Sequence, residues 1–191
     1  MKNMKKLLKT TLFFYLVSIS LLSYSENIEK LNIKTSHGNI VIEIYPEKAP
    51  ITVKNFLNYV DQGFYDGTIF HRIIDGFMIQ GGGFDKMMTE KETDAPIKNE
   101  ANNGLKNAPY TIAMARTSVP DSATSQFFIN VANNSFLDYP GQDGAGYCVF
   151  GKVIDGVGTV IKMGKLATTT RSGMSDVPIK RVTIKSITKL K

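Results

Sequence analysis

The stretch Phe70-His71-Arg72-Ile73-Ile74-Asp75-Gly76-Phe77-Met78-Ile79-Gln80-Gly81-Gly82 concentrates the candidate chemistry of this chain. It sets one arginine, an imidazole and an amide among large apolar side chains. Side chains alternate between faces in extended backbone. Arg72, Ile74, Met78 and Gln80 share a parity, so they point one way wherever the strand stays regular. An arginine placed beside Phe77 and Met78 is costly to bury unless it is paired or used. The mixture suits a shallow apolar groove with one fixed cation and one amide, and it holds no evident nucleophile.

A second stretch, Ser125-Gln126-Phe127-Phe128-Ile129-Asn130, pairs amides with aromatics. Alternation sends Gln126, Phe128 and Asn130 to one face and Phe127 and Ile129 to the other. One phenylalanine filling a core accounts for Phe127. A ring that shares its face with two amides fits a surface that binds a peptide, where amides meet backbone and the ring meets an apolar side chain.

Other chemistries find little support. Only His37 and His71 are present, and His37 falls in a turn, so a zinc site with three or four ligands is not indicated. No G-x-S-x-G elbow accompanies His71, which reads instead as a hydrogen-bonding imidazole on a groove wall. Gly81-Gly82-Gly83 lacks the G-x-x-x-x-G-K-[ST] spacing of a phosphate loop and reads as backbone freedom at a strand end. No metal and no cofactor is expected.

The elements that must position these groups follow from periodicity. Leu31, Ile33 and Thr35, then Ile40, Ile42 and Ile44, alternate around Ser36-His37-Gly38-Asn39 and predict a β-hairpin. Pro50 opens a helix with Val53, Phe56, Leu57 and Val60 on one face, and Gly63 stops it. Strands return over 67–80. Residues 81–107 form a long polar excursion, and short strands follow at 111–115, 126–131, 148–153 and 182–187. Val157, Val160 and Ile161 predict a second short helix closed near Gly164. The Thr-, Ser- and Gly-rich stretch 167–176 reads as a loop. Many short strands with two helices far apart argue for a mainly antiparallel sheet curled into a barrel or a sandwich.

The N-terminus reads as an export signal. Lys2, Lys5, Lys6 and Lys9 precede an uncharged run of 16 residues, Thr10–Ser25, short of the roughly 20 that a spanning helix needs. Ser23 and Ser25 supply small residues, so cleavage before Glu26 is expected; an uncleaved anchor is the alternative. This divides the chain into a signal peptide, 1–25, and one domain, 26–191. Four of the 23 basic residues lie in the signal, leaving 19 against 17 acidic ones. That near-balance argues against a nucleic-acid partner and fits a monomer; with the signal cleaved, no stable membrane association is expected. Cys148 is the sole cysteine, which excludes an internal disulfide.

From Leu31 to Leu190 the chain resembles the cyclophilin-type peptidyl-prolyl cis-trans isomerases. Phe70-His71-Arg72 with Gly76–Gly82, then Ser125–Ile129, then Val149-Phe150-Gly151-Lys152-Val153, fall in the order and spacing of that family. Ala113-Met114-Ala115-Arg116-Thr117 and Arg171-Ser172-Gly173-Met174 resemble its bacterial exported branch. The resemblance implies a closed eight-stranded antiparallel β-barrel capped by two α-helices, with the substrate groove on its outer wall. It implies Arg72 as the catalytic residue. Phe77, Met78, Phe128 and Leu137 would form the proline pocket, and Gln80 and Gln126 its polar contacts. Ala115, Arg116 and Thr117 would run beside the residue before proline, and His71, Phe136 and Tyr147 would complete the binding surface. Phe136, Tyr147 and Arg116 stand where eukaryotic members carry tryptophan, histidine and asparagine. The implied substrates are proline-containing unfolded or flexible polypeptides, exported to the periplasm or beyond. A proline-peptide-binding holdase without turnover is the alternative function.

Overall fold

The computed structural model describes residues 29–190; the expected signal peptide lies outside the described residues. Alternation builds the first sheet pair. In β1 (Glu29–Thr35) and β2 (Gly38–Ile44) every second residue is buried, and Leu31, Ile33, Ile40, Ile42 and Ile44 are fully so. Each such side chain contributes about 1.5–3 kcal/mol on burial. Helix α1 (Pro50–Asp61) follows, with proline in its first turn. Its unsatisfied N–H groups are met from a distance, since the Glu100 carboxylate accepts from the Ile51 and Thr52 amides and from Thr52 Oγ1.

The remaining elements are β3 (Ile69–Ile74), β4 (Met78–Gly81), β5 (Thr111–Met114), β6 (Phe127–Asn130), β7 (Val149–Asp155), α2 (Val157–Gly164), β8 (Thr168–Arg171), β9 (Met174–Pro178) and β10 (Val182–Lys189). Eight strands close an antiparallel barrel in the order β1-β10-β3-β4-β6-β5-β7-β2. Closure removes the unpaired edges that an open sheet leaves exposed. The interior is dominated by isoleucine and rings. Phe56 of α1 packs at 5.2, 5.6 and 5.1 Å from the rings of Tyr65, Phe127 and Phe150. No disulfide assists; Cys148 is free and buried, and burial pushes its thiol up to about 11, which leaves it unreactive.

The expected helices and barrel strands stand where the periodicity places them. Residues 167–176 do not: β8 and β9 pair with each other as a separate two-stranded sheet. Its turn is Ser172-Gly173, with φ of 50° and 77°, the positive values that two-residue hairpin turns require. Thr168, Thr169 and Thr170 are β-branched and suit extended backbone. Every residue of β8 is exposed, so no hydrophobic alternation marks it.

Candidate functional site

The strand registers turn two sequence motifs into one surface. Arg72 lies opposite Gln80, Gln80 opposite Phe128, Phe128 opposite Ala113, and Ala113 opposite Val149. One residue along each strand, Ile73, Ile79, Ile129 and Ile112 form the neighbouring row and are fully or almost fully buried. Alternation therefore gives the barrel an isoleucine row inside and a mixed row outside. The stretch 70–82 is a hairpin rather than one strand. Parity is preserved across it because Arg72 pairs with Gln80 and Ile74 with Met78, which keeps all four on one face.

Outside the main core, Met78, Ala113, Phe128 and Val149 form a second buried apolar cluster, with Phe77, Ala115, Leu137 and Tyr147 packed against it. Above this cluster opens a notch of about 110 Å³, lined by Arg72, Phe77, Met78, Gln80, Ala115, Arg116, Phe128, Leu137 and Tyr147. The Arg72 side chain is 42% exposed, and its Nε lies 3.5 Å from Asp176 Oδ2. The guanidinium thus borders an apolar depression, keeps access to solvent and is not locked in a buried pair. Gln80 Nε2 donates to Gln126 Oε1 at 2.9 Å, and Gln126 Nε2 in turn reaches Glu90 Oε1 at 3.3 Å. A wider depression of about 580 Å³ continues from the notch, sharing Gln80, Ala115 and Arg116 and adding Thr117 and Gln126. Gly83 lies so close to Gln126 that a Cβ there would collide with it.

Arg116 lines the notch, but its charge is committed to its own surroundings. Its Nε and Nη2 donate to the Gly146 carbonyl at 3.0 and 2.8 Å, Nη1 donates to Thr117 O, and Nη2 pairs with Asp143. Its guanidinium also lies 4.2 Å from the centre of the Tyr147 ring. Tyr147 in turn meets Phe128 edge-on at 5.8 Å. Arg116 is therefore a buttress beneath one notch wall. The bond from Arg116, with the Ala145 and Gly146 amides, holds the Asp143 carboxyl down at about 2. A carboxylate lowered in the folded state stabilises fully above its ordinary value and loses that effect as pH falls through the lowered one. The melting-temperature gap between wild type and Asp143→Asn should stay constant from about pH 7 to 4.5 and shrink towards pH 2. A gap that closes already by about pH 5 would contradict this assignment.

Two expected residues stand apart from the notch. His71 is buried, its ring 4.6 Å from Phe84, and its Nδ1 has no partner. It lines a separate cavity of about 180 Å³ with Arg72, Met174, Ser175 and Asp176. Burial, and then Arg72, lower its pKa to about 4, so it is neutral near pH 7. Residue 71 has the opposite parity to Arg72 and sits where the β3–β4 register shifts. Phe136 stacks on Phe77 at 5.6 Å and is 44% exposed, at the rim rather than in the lining. Asn130 shares a parity with Gln126 and Phe128, but it is fully buried beneath the groove.

There Asn130 belongs to an amide network that fixes the notch walls. Asn130 Nδ2 donates to Thr111 Oγ1 and Asn107 Oδ1, while Asn134 Nδ2 donates to Asn130 Oδ1 and to the Phe77 carbonyl. Asn107 Nδ2 reaches the Tyr147 carbonyl at 3.3 Å. Asn107 and Asn134 lie in polar connections whose composition alone signals only turns. Among the described residues no three His, Cys, Asp or Glu side chains gather as a metal site would require.

A family model described as "Cyclophilin type peptidyl-prolyl cis-trans isomerase/CLD" matches residues 30–189. The chain is 59% identical over 157 residues to peptidyl-prolyl cis-trans isomerase B of Escherichia coli strain K12, covering 81% of this chain and 95% of that one. It is also 59% identical to a peptidyl-prolyl cis-trans isomerase of Acinetobacter baylyi, covering 82% of this chain and 83% of that protein. Among solved structures, a cyclophilin-type isomerase of Cryptosporidium parvum superposes with a TM-score of 0.73 at 30% identity, covering 86% of this chain and 98% of that one. A structure of the same protein in the presence of the dipeptide Ala-Pro gives a TM-score of 0.72 at 30% identity, covering 85% of this chain and 99% of that one.

Proposed function

Because the chain belongs to the cyclophilin-type peptidyl-prolyl cis-trans isomerases, we propose that it turns X-Pro bonds of exported polypeptides in the notch beside Arg72. Phe77, Met78, Phe128 and Leu137 receive the proline ring. Gln80 and Gln126 hold the peptide backbone, and the Ala115–Thr117 segment runs alongside the residue before proline. The observation that carries this reading is a solvent-accessible guanidinium on the same outer face as the apolar notch.

The chemistry needs no covalent step. An X-Pro bond resists rotation by about 18–20 kcal/mol because its C–N bond is partly double. Left alone it interconverts over tens to hundreds of seconds; reaching about a millisecond takes five decades, or roughly 7 kcal/mol. When the amide twists, conjugation is lost and the proline nitrogen regains a basic lone pair. A guanidinium donates to that nitrogen well in the twisted form and poorly in the planar one, so it binds the transition state preferentially. The apolar walls exclude water, which strengthens that hydrogen bond and favours the less polar twisted amide. Arginine stays charged and presents a rigid fork, which lysine does not. A protease-coupled proline-peptide assay of Arg72 variants tests the assignment.

The export component rests on the basic start and the uncharged run Thr10–Ser25. N-terminal sequencing of the mature protein from cell fractions should begin at Glu26 in the envelope or medium. Recovery of the full-length chain in the cytoplasm would overturn it.

A further inference from the structure

The β8–β9 hairpin adds little to the core, yet it is built around an irregularity. Thr169 pairs with Val177 and Arg171 with Met174, so Thr170 faces two residues, Ser175 and Asp176. That is a β-bulge, a device that re-aims a side chain and is common beside active sites. Asp176 occupies it at φ 61°, a left-handed conformation that favours glycine and that aspartate adopts at a cost. Strain of this kind persists where the surroundings enforce it, and it concentrates at functional sites. The strained residue directs its carboxylate to 3.5 Å from Arg72 Nε, across the small cavity that both residues share with His71.

We propose that Asp176 is a positioning residue for Arg72: it anchors the guanidinium from the Nε side and leaves the two terminal nitrogens to serve the notch. The proposal rests on the reading of Arg72 given above. Among the described residues no other ion pair engages the Arg72 guanidinium. An exposed pair of this kind contributes little to stability, so ion-pair energy alone does not explain the bulge. Orientation does, because an arginine on a flexible stem samples many geometries, and donation to one twisted nitrogen needs one of them.

The test compares Asp176→Asn and Asp176→Gly, each with Arg72 intact and with Arg72→Ala, in the protease-coupled assay, by thermal melting and by the side-chain 15N–1H signal of Arg72. With Arg72 intact, both variants should lose about fivefold in kcat at unchanged KM. The glycine variant should melt no lower than wild type, because the left-handed strain is gone. The Arg72 Nε–Hε signal should shift in both. In the Arg72→Ala background Asp176→Asn should cost nothing more. Retention of kcat within about twofold, while Arg72→Ala loses most activity, would overturn the proposal and leave the role of Arg72 standing. Equal losses in both backgrounds would overturn it as well, since Asp176 would then act through something else. Full activity in Arg72→Ala would remove the underlying reading and this proposal with it. Should the glycine variant fold poorly, Asp176→Asn alone decides between these outcomes, because its side chain tolerates the same backbone.

Discussion

Arg72→Ala is expected to keep the folded barrel and lose about two to three orders of magnitude in kcat/KM on proline peptides, the cost typical of removing one preorganised transition-state donor. The fold should survive because the Arg72 side chain is 42% exposed and belongs to the outer row, so its loss leaves no buried cavity. Arg72→Lys should also lose most of the activity. An ammonium keeps the charge but places it on a flexible stem without the planar fork. A protease-coupled assay reads both variants, with circular dichroism confirming the fold. Turnover within about threefold of wild type in either one would show that the guanidinium does not act on the twisted amide.

Gly151→Ala should have the largest effect on stability. Gly151 lies where β7 meets both β2 and β5, opposite Ile44 and Ile112. A Cβ there would overlap the Glu43 carbonyl oxygen and come within 3.1 Å of Ile44 Cα. Both obstacles are backbone in a closed sheet and cannot rotate aside as a side chain tip can. We expect a loss of about 3 kcal/mol in urea unfolding, the upper end for overpacking. A change below about 0.5 kcal/mol would mean that the β2–β7 junction yields easily. Because Val149 closes the outer row two residues earlier on the same strand, the notch should loosen as the barrel does.

The parts of the site that could be read in the sequence are those where period-2 geometry meets burial. Phe127 and Phe128 are adjacent and chemically alike, yet one faces the barrel interior and the other the notch cluster, as alternation requires. The 70–82 hairpin preserves parity across its turn, so Arg72, Met78 and Gln80 could be placed together without knowing the turn. The β8–β9 hairpin escaped because both faces of β8 are exposed and leave no apolar rhythm; its threonines and Ser172-Gly173 turn were the available signals. Asp176 escaped for a further reason. A bulge in one element and an ion pair to another are long-range facts that local composition does not carry. Asn107 and Asn134 sit in connections where asparagine is common for turn chemistry, and only the folded network shows them bracing Phe77 and Tyr147. His71 adjoins Arg72 in sequence but opposes it in parity, and this separates it from the notch despite the motif they share.

Arg72 is assigned to the rotation of the prolyl bond rather than to the binding of the peptide. The most direct measurement of that distinction is NMR exchange spectroscopy of a proline peptide on wild type and on Arg72→Ala. It reads the affinity and the cis–trans interconversion rate of the bound peptide separately. Affinity should stay within about threefold of wild type, with interconversion slowed by about a hundredfold or more. Unchanged interconversion of the bound peptide on Arg72→Ala would contradict the assignment.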